Sequence, residues 1–250
     1  MQMETVLVFA AATGRILVLP PDQPMYLLNA GKGHQKAHSF ADFFPFDLIN
    51  SRVPVLTMEE FMRIEGITGR LRSLDTNEVA YPPLNKTEFI GTLRDDRIMM
   101  WDYLRNVSAC PTWKCMKEFA VIPFAPGVNV TLLPDAAEYK RRLDIFASKR
   151  LPRYYDEYWQ KQKVVHFVSK PDLGFRLLEH FYTFIHFEDP RMDRYYKRFV
   201  RDFVHYTDAI FCKAAIIINE LQKEAKNGIY SSFHIRRYVV VECHYSMPYL

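Results

Sequence analysis

The amino-acid sequence predicts an α/β domain with a central, mainly parallel sheet and helices on both of its faces. Short apolar runs typical of buried strands begin at Arg15, Val164 and Phe233, and helical patterns lie between them. The 250 residues are 49% hydrophobic and 25% charged, as in an ordinary globular chain. At about 100 to 200 residues per domain, the chain length predicts one large domain or two small ones. The sequence contains no internal repeat and no flexible linker.

The N-terminal part predicts a helix, a turn and a strand. Residues Met3 to Thr13 favour a helix, and Gly14 is a suitable C-terminal stop. The apolar run Arg15 to Leu19 predicts a short buried strand that two prolines close. A second run, Val53 to Leu56, precedes Thr57-Met58-Glu59-Glu60, whose Ser/Thr-x-x-Glu pattern predicts a capping box and a new helix.

The middle of the chain begins with an irregular stretch. Residues 66–115 are polar and predict an insertion with short elements. The α/β pattern resumes with a predicted strand at Glu118 to Phe124, which ends in prolines. An amphipathic pattern at Ala136 to Ser148 then predicts a helix.

The C-terminal part predicts two strands and two helices. Lys163 to Val168 is β-branched and predicts a buried strand, and Leu173 to Phe187 is apolar at helical spacing. The longest helical pattern runs from Asp193 to Lys226, where Asn227-Gly228 predicts its end. Ile229 to Ile235 predicts the last strand.

The overall charge excludes some function classes. With 33 basic and 29 acidic residues the net charge is only +4, which does not predict nucleic-acid binding without a local patch. A candidate patch is the basic run from Arg194 to Arg201, although such a run is more often the solvated face of a helix. With only 9 glycines, the sequence also disfavours a glycine-rich nucleotide loop.

Two groups of residues have metal-ligand types but incomplete motifs. His34 and His38 stand at the i, i+4 spacing of a zinc-protease helix, but Gln35 replaces the essential glutamate. Cys110 and Cys115 could close a small disulfide loop or remain two thiols, and no second pair has zinc-ligand spacing. We therefore expect no metal site.

Four acidic and histidine residues near the middle of the C-terminal part have the types of an acid–base cluster, but a simpler interpretation exists. His180, His186, Glu188 and Asp189 flank an aromatic-rich segment. Such residues more often cap and solvate the end of a helix than catalyse a reaction.

Three glycosylation sequons permit a secretory interpretation without establishing it. They begin at Asn85, Asn106 and Asn129. No signal peptide is visible in the sequence, and no stretch approaches the about 18 unbroken apolar residues of a membrane helix.

The strongest candidate for a binding site lies at the end of the last predicted strand. Phe233-His234-Ile235-Arg236-Arg237 places two arginines beside a histidine where α/β folds hold ligands. A guanidinium binds phosphate through a planar fork of donors. The motif therefore indicates an anionic ligand such as a diphosphate, and the alternative is an arginine pair that makes surface contacts.

The same residues carry a family resemblance. Tyr230 to Arg237 resembles the His-x-Arg motif of the GDP-fucose protein O-fucosyltransferase superfamily, and Glu4 to Pro21 resembles its first helix and second strand. The segment Lys163 to Asn219, with Leu178-Glu179-His180-Phe181-Tyr182, is similar to the stretch that precedes the motif in protist and plant-like members.

The resemblance implies a fold and a reaction. The fold would be the first Rossmann-like half of a GT-B glycosyltransferase, and the reaction would transfer fucose from GDP-fucose to a Ser/Thr hydroxyl with inversion and without a catalytic metal. Arg236 would contact the β-phosphate and stabilise the departing GDP, His234 would position the donor, and Arg237 would support them. The acceptor would be a protein or glycan in the ER or Golgi, and no nucleic acid is expected.

The resemblance also implies that two parts of the family's fold are absent from this sequence. Residues 1–237 would correspond to the N-terminal half of the fold and residues 238–250 to a divergent tail, without the glycine- and asparagine-rich turn before the first helix and without the second half. We therefore expect impaired transfer. The alternative is a non-catalytic fragment or pseudoenzyme that acts as a binding or packing module.

Overall fold

The fold is mixed α/β, which confirms the predicted class. Instead of one central sheet, the described strands form three small sheets of two, two and three strands. The structure is a computed structural model that describes residues 2–24, 37–66, 70, 72–78, 103–111, 113, 117–167 and 181–231. Most of the predicted insertion at residues 66–115 lies outside these ranges, as does the whole of the predicted tail at residues 238–250. The arrangement is compatible with a Rossmann-like glycosyltransferase fold.

The helices and strands of the described residues are mostly short. The helices are α1 (Gln2–Ala12), α2 (Phe46–Ile49), α3 (Met58–Phe61), α4 (Ala136–Ala147), α5 (Glu157–Lys161), α6 (Phe181–Phe184), α7 (Pro190–Phe203) and α8 (Asp208–Glu224). The strands are β1 (Leu17–Val18), β2 (Gln23–Pro24), β3 (Ala37–His38), β4 (Val55–Leu56), β5 (Glu118–Ile122), β6 (Leu151–Tyr154) and β7 (Ile185–Phe187). Residues 103–107 are also helical.

The first helix ends where the sequence predicts. Gly14 has φ +64°, a conformation that side chains with a Cβ rarely adopt, and the amide of Arg15 donates to the carbonyl of Ala10 at 2.8 Å. This turn leads into β1, which pairs in parallel with β4. Leu7 and Val8 of α1 are fully buried, so the helix supplies part of the main core.

The capping box at Thr57 is confirmed. The Thr57 hydroxyl accepts the Glu60 amide at 3.1 Å, and the Glu60 carboxylate accepts the Thr57 amide at 2.8 Å. Two backbone donors that the helix leaves unpaired are thereby satisfied. A π-helical turn, Met62–Gly66, continues α3.

A three-stranded parallel sheet forms the best-defined part of the molecule. β5 lies in the middle, with β6 on one side and β7 on the other. All five residues of β5 are buried, as expected for a central strand covered on both faces. The described strands form this sheet and two two-stranded sheets, one of which, β2–β3, is antiparallel.

Two strand predictions need correction, and one strand was missed. Residues 163–167 form only one bridge, between Val165 and Ala109, instead of a strand, and 229–231 are not in a strand. β6 was not predicted, because Pro152 disguises it. Proline is tolerated there since β6 has only β5 as a described neighbour.

Two helix predictions also need correction. The described end of the predicted helix Leu173 to Phe187 turns into strand β7, because its side chains are buried beside β5. The predicted helix Asp193 to Lys226 is interrupted at residues 204–207. There Val204 is buried and the Thr207 amide donates to the Phe43 carbonyl at 2.9 Å, so tertiary contacts replace helical ones. The predicted stop is confirmed by positive φ angles at Asn227 and Gly228.

The chain divides into two compact units, Met1–Thr207 and Asp208–Leu250. The first contains the sheets and the main hydrophobic core. In the second, α8 has no buried residue. No helix within the described ranges is both long enough and apolar enough to span a bilayer.

Candidate functional site

The order of the three parallel strands creates a ligand-binding position. From β5 the chain passes to β6 on one side, and from β6 it crosses to β7 on the other side of β5. In open α/β sheets, ligands bind beyond the carboxyl ends of two neighbouring strands whose connections lead to opposite sides of the sheet. Residues 123–126 and 188–193, which follow β5 and β7, are called the carboxyl edge below.

Glu188 joins the two halves of the carboxyl edge. Its amide donates to the Ile122 carbonyl at 3.0 Å, and its Oε2 accepts the Phe124 amide at 3.1 Å. Its Oε1 receives no hydrogen bond from any described residue. Glu188 is therefore a fixed, half-buried carboxylate with one oxygen available to a ligand.

Asp189 begins the helix that follows β7. Its Oδ1 accepts the Arg191 amide at 2.9 Å, and Pro190 occupies the first helical position, where its missing N–H costs nothing. The Arg191 side chain also donates to Asp189, and these hydrogen bonds lower the pKa of the Asp189 carboxyl. Asp189 is thus a buried, charged cap that fixes the direction of α7.

Asp193 links α7 to α4. Its Oδ2 accepts the Tyr139 hydroxyl at 2.9 Å and the Lys197 ammonium at 2.6 Å. Burial, together with the negative charge of Asp193, raises the pKa of Tyr139, so Tyr139 remains a protonated donor. This contact joins the helix that follows β5 to the helix that follows β7.

His186 lies in β7 among aromatic rings. Its ring centroid is 5.0 Å from that of Phe119 and 4.3 Å from that of Phe146. Burial lowers the pKa of His186 to about 4, so the imidazole is neutral at physiological pH. Its Nε2 is buried and has no hydrogen-bond partner among the described residues, and the ring is enclosed by the packing that supports the sheet.

The structure separates the predicted residues into two groups. His234, Arg236, Arg237 and His180 lie outside the described residues. Within the described part, Glu188 and Asp189 come together at the carboxyl edge. Asp189 caps a helix, but that helix is α7, which follows it, and not the aromatic-rich segment that these residues flank in the sequence.

The predicted basic run is largely paired with acidic neighbours. Arg194 binds Asp135 at 2.7 Å, and Lys197 binds Asp193 at 2.6 Å. Arg201 binds its neighbour in sequence, Asp202, also at 2.7 Å. These contacts agree with the interpretation of the run as a solvated helix face.

Other predicted ligand residues do not assemble into a site in the described chain. His38 contacts Asp42 at 3.4 Å, while His34 lies outside the described residues. Cys110 is a free thiol, and Cys115 lies outside the described residues. Among the residues that the structure describes, no group of three His, Cys, Asp or Glu side chains is arranged to hold a metal ion.

No local pattern in the sequence predicts the contact between Tyr139 and Asp193. They are 54 positions apart, and only the parallel arrangement of β5 and β7 brings their helices together. A usable local signal did exist at Asp189-Pro190, because an N-cap residue followed by proline predicts a helix start there.

The comparison with known families covers nearly the whole chain. The family model described as GDP-fucose protein O-fucosyltransferase matches residues 1–247, a range that includes the carboxyl edge and the His234–Arg236 motif. No significant match was found among curated proteins or among solved structures. The chain therefore belongs to the GDP-fucose protein O-fucosyltransferase family.

Proposed function

We propose that the protein transfers fucose from GDP-fucose to a serine or threonine hydroxyl of an acceptor protein or glycan, with inversion at the sugar carbon. The observation that carries the proposal is the family match over residues 1–247, which supports a fucosyltransferase-like glycosyltransferase function. The match includes Phe233-His234-Ile235-Arg236-Arg237, the residues chosen from the sequence as an anion site.

On the donor side, we assign the main role to Arg236. As the bond between the sugar and the β-phosphate breaks, negative charge grows on the phosphate oxygen, and a guanidinium held there lowers the barrier. His234 stands two residues earlier in the sequence and would orient the diphosphate. Arg237 has a supporting role.

On the acceptor side, we assign the proton acceptor to Glu188. The acceptor oxygen attacks the sugar carbon, the bond to the β-phosphate breaks with its electron pair leaving on GDP, and the hydroxyl proton passes to a base. Glu188 suits this role because the Phe124 amide holds one carboxylate oxygen and leaves the other for a ligand. Its position at the carboxyl edge is where α/β sheets bind substrates.

The proposed reaction has consequences for fold and location. We propose that residues 1–237 correspond to the first Rossmann-like half of a GT-B arrangement, with the donor held at its cleft. The proposed chemistry uses no catalytic metal, because Arg236 supplies the positive charge. The family is typically found in the secretory pathway, and we propose the ER or Golgi as the location of this protein.

GDP titration of the full chain tests the donor assignment. We expect measurable binding by calorimetry, lost in Arg236→Ala and kept in Arg201→Ala, whose arginine is exposed and paired with Asp202. Transfer of labelled fucose should fall by about 10²- to 10³-fold in Arg236→Ala. Absence of GDP binding in the unmodified chain would favour the alternative, a non-catalytic binding or packing module. Equal binding in both variants would remove Arg236 from the mechanism.

The transfer rate tests Glu188 separately. Glu188→Gln should keep GDP binding and lower the transfer rate by about 10²- to 10⁴-fold, because the amide cannot accept the proton. An unchanged transfer rate would show that another group accepts the proton.

A further inference from the structure

We propose that Asn129 is an N-glycosylation site of this protein and that Asn106, which carries the same type of sequon, is not. Asn129-Val130-Thr131 and Asn106-Val107-Ser108 both satisfy the Asn-x-Ser/Thr rule. The structure distinguishes them by the exposure of the two residues that follow each asparagine and by the hydrogen bond of the Ser/Thr hydroxyl. The proposal rests on the secretory location proposed above.

The sequon at Asn129 is accessible along its whole length. All three of its residues are exposed, and they lie in the loop that connects β5 to α4. An attached glycan is bulky and hydrated, and a surface loop can carry it without displacing packed side chains.

The side chains of this sequon are already in contact. Asn129 Oδ1 accepts the Thr131 amide at 3.1 Å and the Thr131 hydroxyl at 2.6 Å. Asn129 Nδ2 makes no hydrogen bond to any described residue. The nitrogen that must react is therefore the free atom of the amide, while the hydroxyl that defines the sequon is held against its carbonyl.

The sequon at Asn106 is completed by buried residues. Asn106 itself is exposed and lies in the helical residues 103–107, and its Oδ1 accepts the hydroxyl of the buried Ser73 at 2.9 Å. Val107 and Ser108 are each 3% exposed, and the Ser108 hydroxyl donates to the Leu104 carbonyl. The hydroxyl that defines this sequon is therefore inaccessible in the fold, and it bonds a backbone carbonyl instead of the asparagine amide.

The modification is a substitution at a sugar carbon. Asn129 Nδ2 would attack the first carbon of an oligosaccharide carried on a lipid diphosphate, which the glycosylation machinery of the ER supplies. A carbon–nitrogen bond forms, and the carbon–oxygen bond to the diphosphate breaks. The lipid diphosphate leaves with the electron pair, and the transferase removes one amide proton.

The test expresses the full chain behind a cleavable signal peptide in secretory cells, with Asn85→Gln in every variant because Asn85 lies outside the described residues. Gel mobility before and after peptide-N-glycosidase counts the glycans. We expect one glycan, lost in Asn129→Gln and in Thr131→Ala, and retained in Thr131→Ser. The matched controls Asn106→Gln and Ser108→Ala should keep it.

Two outcomes would overturn the proposal. One is a glycan that persists in Asn129→Gln and disappears in Asn106→Gln. The other is an unmodified chain whose signal peptide has been removed, since that chain has entered the ER. Because the added signal peptide determines entry, failure here concerns the site alone. Failure of the proposed location is measured separately, from the distribution of the unaltered chain.

Discussion

Helices α7 and α8 follow each other in the chain, yet they differ in what their side chains contact. α7 is rich in charged residues but buries Tyr196 and Phe199 against the core. α8 is richer in aliphatic residues but buries none of them, and Ile217 is 61% exposed. The difference shows that the apolar content of a helix does not decide its burial. Burial requires a complementary apolar surface, and the main hydrophobic core provides one for α7.

The largest expected difference is in core packing. Phe199→Ala should destabilise the protein by about 3–5 kcal/mol, because it removes a buried ring stacked on Phe203. Ile217→Ala should change stability by no more than about 0.5 kcal/mol, since its side chain is exposed. Urea unfolding followed by both tryptophan fluorescence and circular dichroism measures the two effects. A cost of about 2 kcal/mol for Ile217→Ala would show that α8 is covered in solution.

The next largest effect is a pH dependence of stability that arises from buried histidines in the unit Met1–Thr207, which contains α7. The pKa of His186 is lowered from 6.5 to about 4 by burial, so the unfolded chain takes up the proton first. The contribution of the neutral, buried His186 to the free energy of unfolding is complete above about pH 6.5 and decreases as the pH falls towards 4. At pH 5 the free energy of unfolding is lower by about 2 kcal/mol for this reason. His166, whose pKa burial also lowers to about 4, adds in the same direction. α8 contains no histidine.

The measurement is the free energy of unfolding at pH 7 and pH 5, in the unmodified chain and in His186→Phe. Phenylalanine fits the aromatic surroundings formed by Phe119 and Phe146, so the variant should fold and show a smaller dependence. An equally steep dependence in the variant would assign the effect to other groups.

The cap of α7 should have a smaller effect. Asp189→Ala removes the side-chain acceptor of the Arg191 amide and should cost about 1 kcal/mol. Asp189→Asn keeps an oxygen in the same place and should recover most of the loss. If both variants were as stable as the unmodified chain, the buried aromatic face alone would hold α7.

The same two helices show what the sequence could predict. The helical pattern from Asp193 to Lys226 predicted the right secondary structure but not the interruption, because the Phe43 carbonyl that bonds Thr207 is more than 160 positions away. Local signals performed better: the capping box at Thr57 and the stop at Gly14 are both confirmed. β6 was missed because a proline obscured its pattern.

In the candidate site too, residues close in sequence could be grouped from the sequence, and contacts between distant residues could not. From the sequence, Glu188 and Asp189 were grouped and interpreted as helix-end residues, so the place of Glu188 in the candidate site was missed. Tyr139 and Asp193 meet only through the sheet order. Membership of the family was recognised from motifs at both ends of the chain and is confirmed over residues 1–247. The role of Arg236 came from the resemblance and stays a prediction.

The smallest expected effect concerns the charged faces of the two helices. Arg194 of α7 and Asp135 form an ion pair at 2.7 Å, but both side chains are 51% exposed, so solvent screens them. A double-mutant cycle with Arg194→Ala and Asp135→Ala should give a coupling of about 0.2–1 kcal/mol. The Lys223–Glu220 pair of α8, also at 2.7 Å and exposed, is the matched control and should give about 0.2–0.5 kcal/mol. Similar values would leave the buried aromatic face as the cause of the difference between the helices. A coupling above about 2 kcal/mol for Arg194 and Asp135 would instead give the charged face of α7 a main part in holding it.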